Sequence, residues 1–248
     1  LRASVIPWQH IRPMGEDMVA TQLVLPAGQV LRPVDIGAIA GCGNSEISVA
    51  RKPRVAVLPT GTELAPIGRP VGRGEIIEYN SVVLAAQVNQ WGGAATRYPI
   101  TPDELDAICR RVQQAAEDAD LILLNAGSSA GAEDFSAQIV EKLGTLLVHG
   151  VAVRPGHPVI LGMILAPQKE GETVARQVPL IGVPGYPVSA ALTCEIFVEP
   201  LLARWLGRAA HQPLELEAAL TRKVTSPAGD DDFMRVVVGR VGGRLLAA

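Results

Sequence analysis

The 248-residue chain is 48% hydrophobic and 19% charged, the balance of a globular protein with enough apolar material for a sizeable core. Its formal net charge is −3 and it has no cluster of lysine and arginine, so neither nucleic acid nor a membrane is expected as a partner. It also has no run of 18 apolar residues that would predict a membrane span. Three scattered cysteines without metal-ligand spacing indicate free thiols and a cytoplasmic protein.

Residues 1–52 are predicted to be β-rich and irregular, because prolines interrupt their short apolar runs. Strands are predicted at 21–25 and 46–49. A short helix is predicted at 33–40, with proline at its start and Gly41 after its end. We expect the segment to be the last part of a β-rich domain whose beginning is absent.

Residues 53–208 alternate strand and helix patterns. Apolar runs predict strands at 55–58, 95–100, 121–124, 145–153, 158–161 and 180–183, and helical periodicity predicts helices at 80–91, 105–118, 133–143 and 187–207. Thr101–Glu104 is predicted to be a capping box, Gly144 a helix-ending glycine, and 166–178 a surface excursion. Such alternation predicts an α/β domain, with a mostly parallel sheet covered by helices on both faces.

Residues 209–248 return to a β pattern and are predicted to begin a C-terminal β domain. Residues 214–218 alternate as a strand does, and residues 233–238 with 241–244 are predicted to form a hairpin. The acidic block 230–232 is predicted to be a solvated turn.

The segment 121–136, LILLNAGSSAGAEDFS, is predicted to be a buried strand, a loop of small residues and a helix. Free backbone N–H groups at such a helix start bind phosphate or carboxylate. Glu133 and Asp134 stand at the same place. Two interpretations remain open for this acidic pair, namely a metal site or a simple complement to the helix dipole.

Four loops follow a strand and precede a helix, at 60–63, 101–103, 125–134 and 184–189. In an open α/β sheet such loops share the carboxyl edge, where ligands bind. Their polar residues are therefore candidates for a site. Each also has a structural alternative: a solvated acid for Glu63, a capped helix start for Asp103, and a helix N-cap for Ser189. Outside these loops, His157 is a candidate whose alternative is a surface turn residue.

Taken together, the motifs PTGTEL, NAGSSAGAEDF, RPGHP and GVPGYPVSA resemble the MoeA family, molybdopterin molybdenumtransferases that include the corresponding domain of gephyrin. Residues 11–17 and 27–37 resemble further stretches of that family, which implies a chain truncated at its N-terminus. The resemblance implies a MogA-like fold that binds molybdopterin or its adenylate and inserts molybdenum from molybdate. Mg²⁺ is implied as the assisting cation. A homodimer and other molybdenum-cofactor biosynthesis proteins are implied as partners.

Carried over position by position, the resemblance implies Glu63 and Asp134 as catalytic and metal-binding residues. The implied ligand-binding residues are Thr60, Gly61, Asp103, Gly127, Ser128, Ser129, Gly131, Arg154, His157, Pro184, Gly185, Pro187 and Ser189.

Several positions depart from the family patterns. Thr62 replaces an acid, Ala126 a glycine, and Tyr186 an asparagine, while Arg154 and His157 stand in place of two lysines. Arginine still binds phosphate in a bidentate manner, whereas an ordinary histidine is mostly uncharged near neutral pH. The sequence therefore leaves an alternative open, a non-catalytic module that binds or senses molybdopterin or the finished cofactor within a longer chain.

Overall fold

The computed structural model describes residues 3–126, 132–168 and 175–248, and for residues 132–134 it describes the backbone alone. The chain divides into two compact units, Leu1–Ala50 and Arg51–Ala248. The predicted separation of residues 209–248 as a further domain stays a prediction. Within the described residues, no helix is long and apolar enough to cross a membrane.

The first unit contains the helix α1 (Pro33–Gly41) where the sequence predicts it. Asp35 lies in its first turn and is only 4% exposed. The Asp35 carboxylate accepts hydrogen bonds from the Arg32 side chain at 2.9 Å and from the Arg32 backbone N–H at 2.8 Å. These bonds lower the pKa of Asp35 to about 2, because they favour its ionised form.

The strands predicted at 21–25 and 46–49 are absent, and both predictions are wrong. Leu23 and Val49 are exposed there rather than packed in a sheet. A strand must pair its N–H and C=O groups with a neighbouring strand. The described residues of this unit contain no strand that could be such a neighbour. Local β propensity alone is therefore not sufficient to form a strand at either place.

The second unit alternates strands and helices, as the sequence predicts. Its first half comprises β1 (Arg54–Pro59), β2 (Leu64–Ala65), β3 (Ile76–Ile77), α2 (Asn80–Gln90), β4 (Ala94–Arg97), α3 (Leu105–Ala116), β5 (Leu121–Asn125) and α4 (Ala132–Leu143). Its second half comprises β6 (Gly144–His149), β7 (Val153–Arg154), β8 (Ile160–Leu165), β9 (Gln177–Val183), α5 (Pro187–Thr193), α6 (Glu199–Trp205), β10 (Ala219–Leu220), β11 (Asp231–Asp232), β12 (Val238–Val241) and β13 (Arg244–Ala247). A π-helical turn, Cys194–Val198, joins α5 to α6.

Six strands form the central sheet in the order β4-β1-β5-β9-β8-β6. The strands β4, β1, β5 and β9 run parallel to one another, while β8 is antiparallel to both β9 and β6. β5 therefore lies inside the sheet, and all five of its residues are buried. Four of them, residues 121–124, form the continuous apolar run that predicts a buried strand. The α/β class with a mostly parallel sheet is confirmed.

Helices cover both faces of this sheet. Ile122 and Leu124 of β5 pack in one cluster with side chains of α3 and α4. Leu121 and Leu123 pack in the other cluster with α2 and the helical segment α5–α6. Successive strand side chains point to opposite faces, so one apolar strand serves two cores. The result is the expected arrangement of three layers.

The start of α3 differs from the prediction. The helix begins at Leu105, and no side chain caps it, so the capping box at Thr101–Glu104 is not formed. Thr101 instead forms a parallel β-bridge with Thr60, the residue that directly follows β1. Pairing across the sheet edge has replaced the local helix cap. Asp103 consequently stays in a loop beside the end of β1.

Gly144 does not end a helix in the left-handed conformation, as the sequence predicted, but begins β6. A Cβ atom at this position would overlap the carbonyl oxygen of Met163 and lie 2.9 Å from the Cα of Ile164. Glycine is therefore required by the close approach of β6 to β8, and not by a positive φ.

Three surface boundaries also shift. Ala166 is buried and β9 already begins at Gln177, so the predicted excursion 166–178 is shorter, and 169–174 lie outside the described residues. The strand predicted at 214–218 is not formed. The predicted hairpin lies later, at β12–β13, because Gly242 and Gly243 both have positive φ and form its turn.

Candidate functional site

The carboxyl ends of β1 and β5 and the bridge residue Thr101 form the centre of the candidate site. The Thr60 N–H donates to the Asn125 carbonyl at 2.9 Å, and the Gly61 N–H donates to the Thr101 carbonyl at 3.1 Å. Thr60 and Thr101 are both buried. These pairings bring the predicted loops 60–63 and 101–103 together, although about 40 residues of sequence separate them.

Thr62 and Asp103 bind each other reciprocally. The Thr62 N–H donates to the Asp103 carboxylate at 3.4 Å, and the Asp103 N–H donates to the Thr62 hydroxyl at 3.3 Å. Burial raises the pKa of Asp103, and the nearby Glu63 carboxylate raises it further, while the Thr62 hydrogen bond acts in the opposite direction. The backbone of Thr62 thus holds the Asp103 carboxylate, while the Thr62 hydroxyl accepts from the Asp103 backbone.

Glu63 contributes a carboxylate oxygen without a protein partner. Its Oε1 atom is buried and accepts no hydrogen bond from the residues that the structure describes. The Thr101 hydroxyl is likewise buried and has no partner in the part of the chain that the structure describes. Buried polar atoms are normally satisfied, so these two atoms at one sheet edge mark the candidate site. Glu63 as a whole is half-buried, so both interpretations of this residue stay predictions.

Two asparagines fix the loop that follows β9. The Asn125 side-chain amide donates to the carbonyls of Val183 at 3.3 Å and Pro184 at 3.1 Å. The Asn80 amide donates to the Gly185 carbonyl at 2.8 Å. The sequence did not predict either role: Asn125 was visible only as a polar residue at a strand end, and Asn80 carried no signal.

The same loop leads directly into α5. Pro187 is the first residue of that helix, and Ser189 lies two residues further on and is 7% exposed. Tyr186, not Ser189, occupies the N-cap position, so the N-cap alternative for Ser189 is wrong. Ser189 therefore stays a candidate for ligand binding close to Pro184 and Gly185.

Arg154 and His157 lie at the same edge of the sheet. They precede β8, which runs antiparallel to β9 and begins opposite Gly182 near the end of β9. The Arg154 Nε donates to the carboxylate of Asp230. The prediction that residues 230–232 form a solvated turn is therefore wrong, since Asp230 forms an ion pair and β11 pairs with β7.

Four of the predicted ligand-binding residues belong to the small-residue loop. Gly127, Ser128, Ser129 and Gly131 lie outside the described residues, as does the side chain of Asp134. The backbone of Asp134 belongs to the first turn of α4, where the sequence predicts it. Asn125 and Ala126 directly precede the loop. The Ala126 N–H and the Asn125 side-chain amide both donate to the carbonyl of Val183 at the end of β9.

The candidate site extends along the edge of the sheet, with acidic side chains at one end and a basic side chain at the other. Glu63 and Asp103 lie at the end formed by β4 and β1, and Arg154 lies beside the start of β8. In the order of the sheet, three strand spacings of about 4.8 Å separate β1 from β8. No group of three or more metal-binding side chains occurs among the described residues, although two neighbouring carboxylates are present.

This architecture defines an α/β protein with a mostly parallel sheet, and the candidate site lies at the carboxyl edge of that sheet, where such folds bind ligands. Residues 56–204 match the family described as "Probable molybdopterin binding domain", and residues 2–43 match "MoeA N-terminal region (domain I and II)". The two matches follow each other in one chain, as the motif order in the sequence suggested. The chain belongs to the MoeA family.

Individual relatives agree with this assignment. The chain is 32% identical to molybdopterin molybdenumtransferase 2 of Mycobacterium tuberculosis, over all of this chain and 60% of the relative. It is 30% identical to the molybdopterin molybdenumtransferase of Haemophilus influenzae, over 92% of this chain and 54% of the relative. A MoeA protein structure from Pyrococcus horikoshii superposes with a TM-score of 0.75 at 29% identity, covering 94% of this chain and 55% of that one. The chain thus spans little more than half of these relatives.

Proposed function

We propose that the carboxyl edge of the sheet binds molybdopterin or its adenylate and, in the complete protein, inserts molybdenum from molybdate. The observation that carries this proposal is the buried Oε1 of Glu63, which lies beside Asp103 and has no hydrogen-bond partner among the described residues. The names of the relatives support a transferase of this kind. They favour it over the non-catalytic module that the sequence left open.

The carboxylate pair fits a divalent cation. Burial raises the pKa of Asp103 and the neighbouring Glu63 carboxylate raises it further, and Oε1 of Glu63 has no hydrogen-bond donor among the described residues. Carboxylate oxygens are the ligands that Mg²⁺ prefers. Glu63 and Asp103 would hold the ion, with Asp134 as a further proposed ligand. The ion would supply positive charge against the ligand's phosphate or molybdate oxygens.

The chain's own groups would orient the rest of the ligand. The guanidinium of Arg154 offers donors to an oxyanion, and His157 adds a donor or acceptor beside it. The N–H groups of Gly127–Gly131, together with Ser128 and Ser129, are proposed to bind the ligand's phosphate. Thr60, Gly61, Pro184, Gly185, Pro187 and Ser189 are proposed to form the surrounding walls.

Asp134→Asn in the full-length protein tests the catalytic part of the proposal. The substitution removes charge and keeps shape, so it should lower molybdenum insertion tenfold or more, equivalent to about 1.4 kcal/mol of barrier. The melting temperature of the variant should differ little from that of the original protein. Under the helix-dipole interpretation, the variant would instead lose about 0.3–1 kcal/mol of stability and remain active. Full activity would rule out the metal role.

We also propose that the complete protein is a homodimer that cooperates with other molybdenum-cofactor biosynthesis proteins. In the first unit, Asp35 is the one buried residue among those described, and large apolar residues such as Trp8, Met14 and Leu23 are exposed. A unit with so little core of its own is expected to pack against further protein surface. The three free thiols support a cytoplasmic location.

A further inference from the structure

Arg154 carries a counter-ion that is built into the fold. Its Nε donates to the carboxylate of Asp230, a residue 76 positions further along the chain. The Asp230 side chain is only 17% exposed, whereas that of Arg154 is 54% exposed. The acid is thus largely enclosed by protein, while the guanidinium remains open to a ligand.

Backbone pairing holds Asp230 in place. The N–H of Asp231 donates to the Ala152 carbonyl at 2.9 Å, and the N–H of Phe233 donates to the Arg154 carbonyl at 2.7 Å. These bonds belong to the pairing of β11 with β7, so they lie directly beside the ion pair. The position of the carboxylate is therefore set by the backbone, and not only by the rotamer of an exposed side chain.

The geometry separates two properties of Arg154, its hydrogen-bond donors and its positive charge. The contact uses Nε, and the two Nη groups have no hydrogen-bond partner among the described residues. The charges of the guanidinium and the carboxylate sum to zero. Donors for short-range hydrogen bonds therefore remain, while the longer-range attraction for an anion is largely cancelled.

We propose that Asp230 is a specificity-determining residue of the proposed site. It makes the Arg154 end select a tetrahedral oxyanion by hydrogen-bond geometry, and it prevents tight retention of an anion by net charge alone. A free oxyanion then leaves readily, whereas one that is part of a larger, otherwise bound ligand stays. The inference rests on the proposed function, because it requires that Arg154 faces the ligand.

The test compares this chain with its Asp230→Asn variant, which keeps the shape of the side chain and removes its charge. Calorimetric titration uses molybdate in one arm and molybdopterin in the other, at about pH 8, where an ordinary histidine is uncharged. In the arm whose ligand contacts Arg154, we expect Asp230→Asn to bind that ligand roughly three- to tenfold more tightly than the original chain at about 20 mM salt. The gain should shrink at about 200 mM salt, because added ions screen the uncovered charge of Arg154. The arm that gains identifies whether molybdate or the phosphate of molybdopterin contacts Arg154.

Asp231→Asn is the matched control. It removes the same charge from the adjacent residue, whose side chain is exposed and forms no ion pair within the described structure. The control should change affinity by less than about twofold, since an exposed charge is largely screened. Equal gains in both variants would overturn the proposal, because a general change of charge would then explain them.

Other outcomes are equally decisive. Unchanged or weaker binding by Asp230→Asn, with melting equal to that of the original chain, would overturn the role of Asp230 alone. If the original chain bound neither molybdate nor molybdopterin, the proposed function itself would fail, and this inference with it. Arg154→Ala should weaken the arm that gains, and unchanged affinity there would show that the ligand does not meet Arg154.

Discussion

Glu63→Gln offers the sharpest test of the acidic end of the site. In the absence of a divalent cation, the buried Oε1 of Glu63 has no hydrogen-bond partner among the described residues, and the carboxylate lies close enough to Asp103 to raise its pKa. The substitution removes one of two repelling charges and keeps the size of the side chain. We expect it to raise the free energy of unfolding by about 1 kcal/mol without added cation.

Adding Mg²⁺ should reverse the order of stability. A ligand that binds only the native state stabilises it by RT ln(1 + [L]/Kd), which is about 1.4 kcal/mol at ten times the Kd. The original chain should gain this amount, and Glu63→Gln should gain little because a cation ligand has been lost. Urea unfolding at a fixed temperature, with and without Mg²⁺, measures both differences.

The control variant is Glu104→Gln, which removes a charge from an exposed residue of the neighbouring loop. It should leave the stabilisation by Mg²⁺ unchanged. The reasoning would be refuted if the original chain and Glu63→Gln gained equally from Mg²⁺, since the cation would then bind elsewhere or act non-specifically. A variant that is less stable than the original chain without Mg²⁺ would contradict the repulsion argument.

Three further predictions follow from single residues. Because burial and Glu63 raise the pKa of Asp103, the native state holds its proton more tightly than the unfolded chain, and stability falls as pH rises above about 4; Asp103→Asn should remove this loss in urea unfolding at several pH values. The pKa of Asp35 is lowered to about 2, so its contribution is present above about 4 and is lost as pH falls towards 2. In a plot of melting temperature against pH, Asp35→Asn should therefore lose less stability between about pH 4 and pH 2 than the original chain. An equal loss in both proteins would contradict the Asp35–Arg32 pairing. Gly144→Ala should cost about 3 kcal/mol or more, because its Cβ would overlap the neighbouring strand. Gly239→Ala, with open space around it and no positive φ, should change the free energy of unfolding little, and equal losses would contradict the steric argument.

The sequence predicted the elements whose signal is local. The apolar runs of β1, β5 and β9 indicated buried strands, because a strand covered on both faces needs side chains that are apolar at every position. The alternation of these strands with amphipathic helices then predicted a mostly parallel sheet. It also predicted that the loops after the strands would share one edge, which the structure confirms for the loops at 60–63, 101–103 and 184–189.

Short segments and helix ends were predicted less well, because several structures compete for them locally. Thr101 fits a capping box by sequence, but its pairing with Thr60 lies across the sheet and is invisible in the local pattern. Gly144 fits a helix end equally well, whereas its actual requirement is the closeness of a strand that follows about 20 residues later. In both cases the contact that decides the structure comes from another element.

The tertiary structure alone decided which side chains meet. Asn80 binds the Gly185 carbonyl from 105 residues away, and Asp230 binds Arg154 from 76 residues away. Neither pair has a spacing or a periodicity that marks it, because the order of strands in the sheet brings these residues together. A sequence pattern reports which residues are buried and which loops bear polar groups. It does not report which charge neutralises which, since that depends on distances in space that only the packed chain defines.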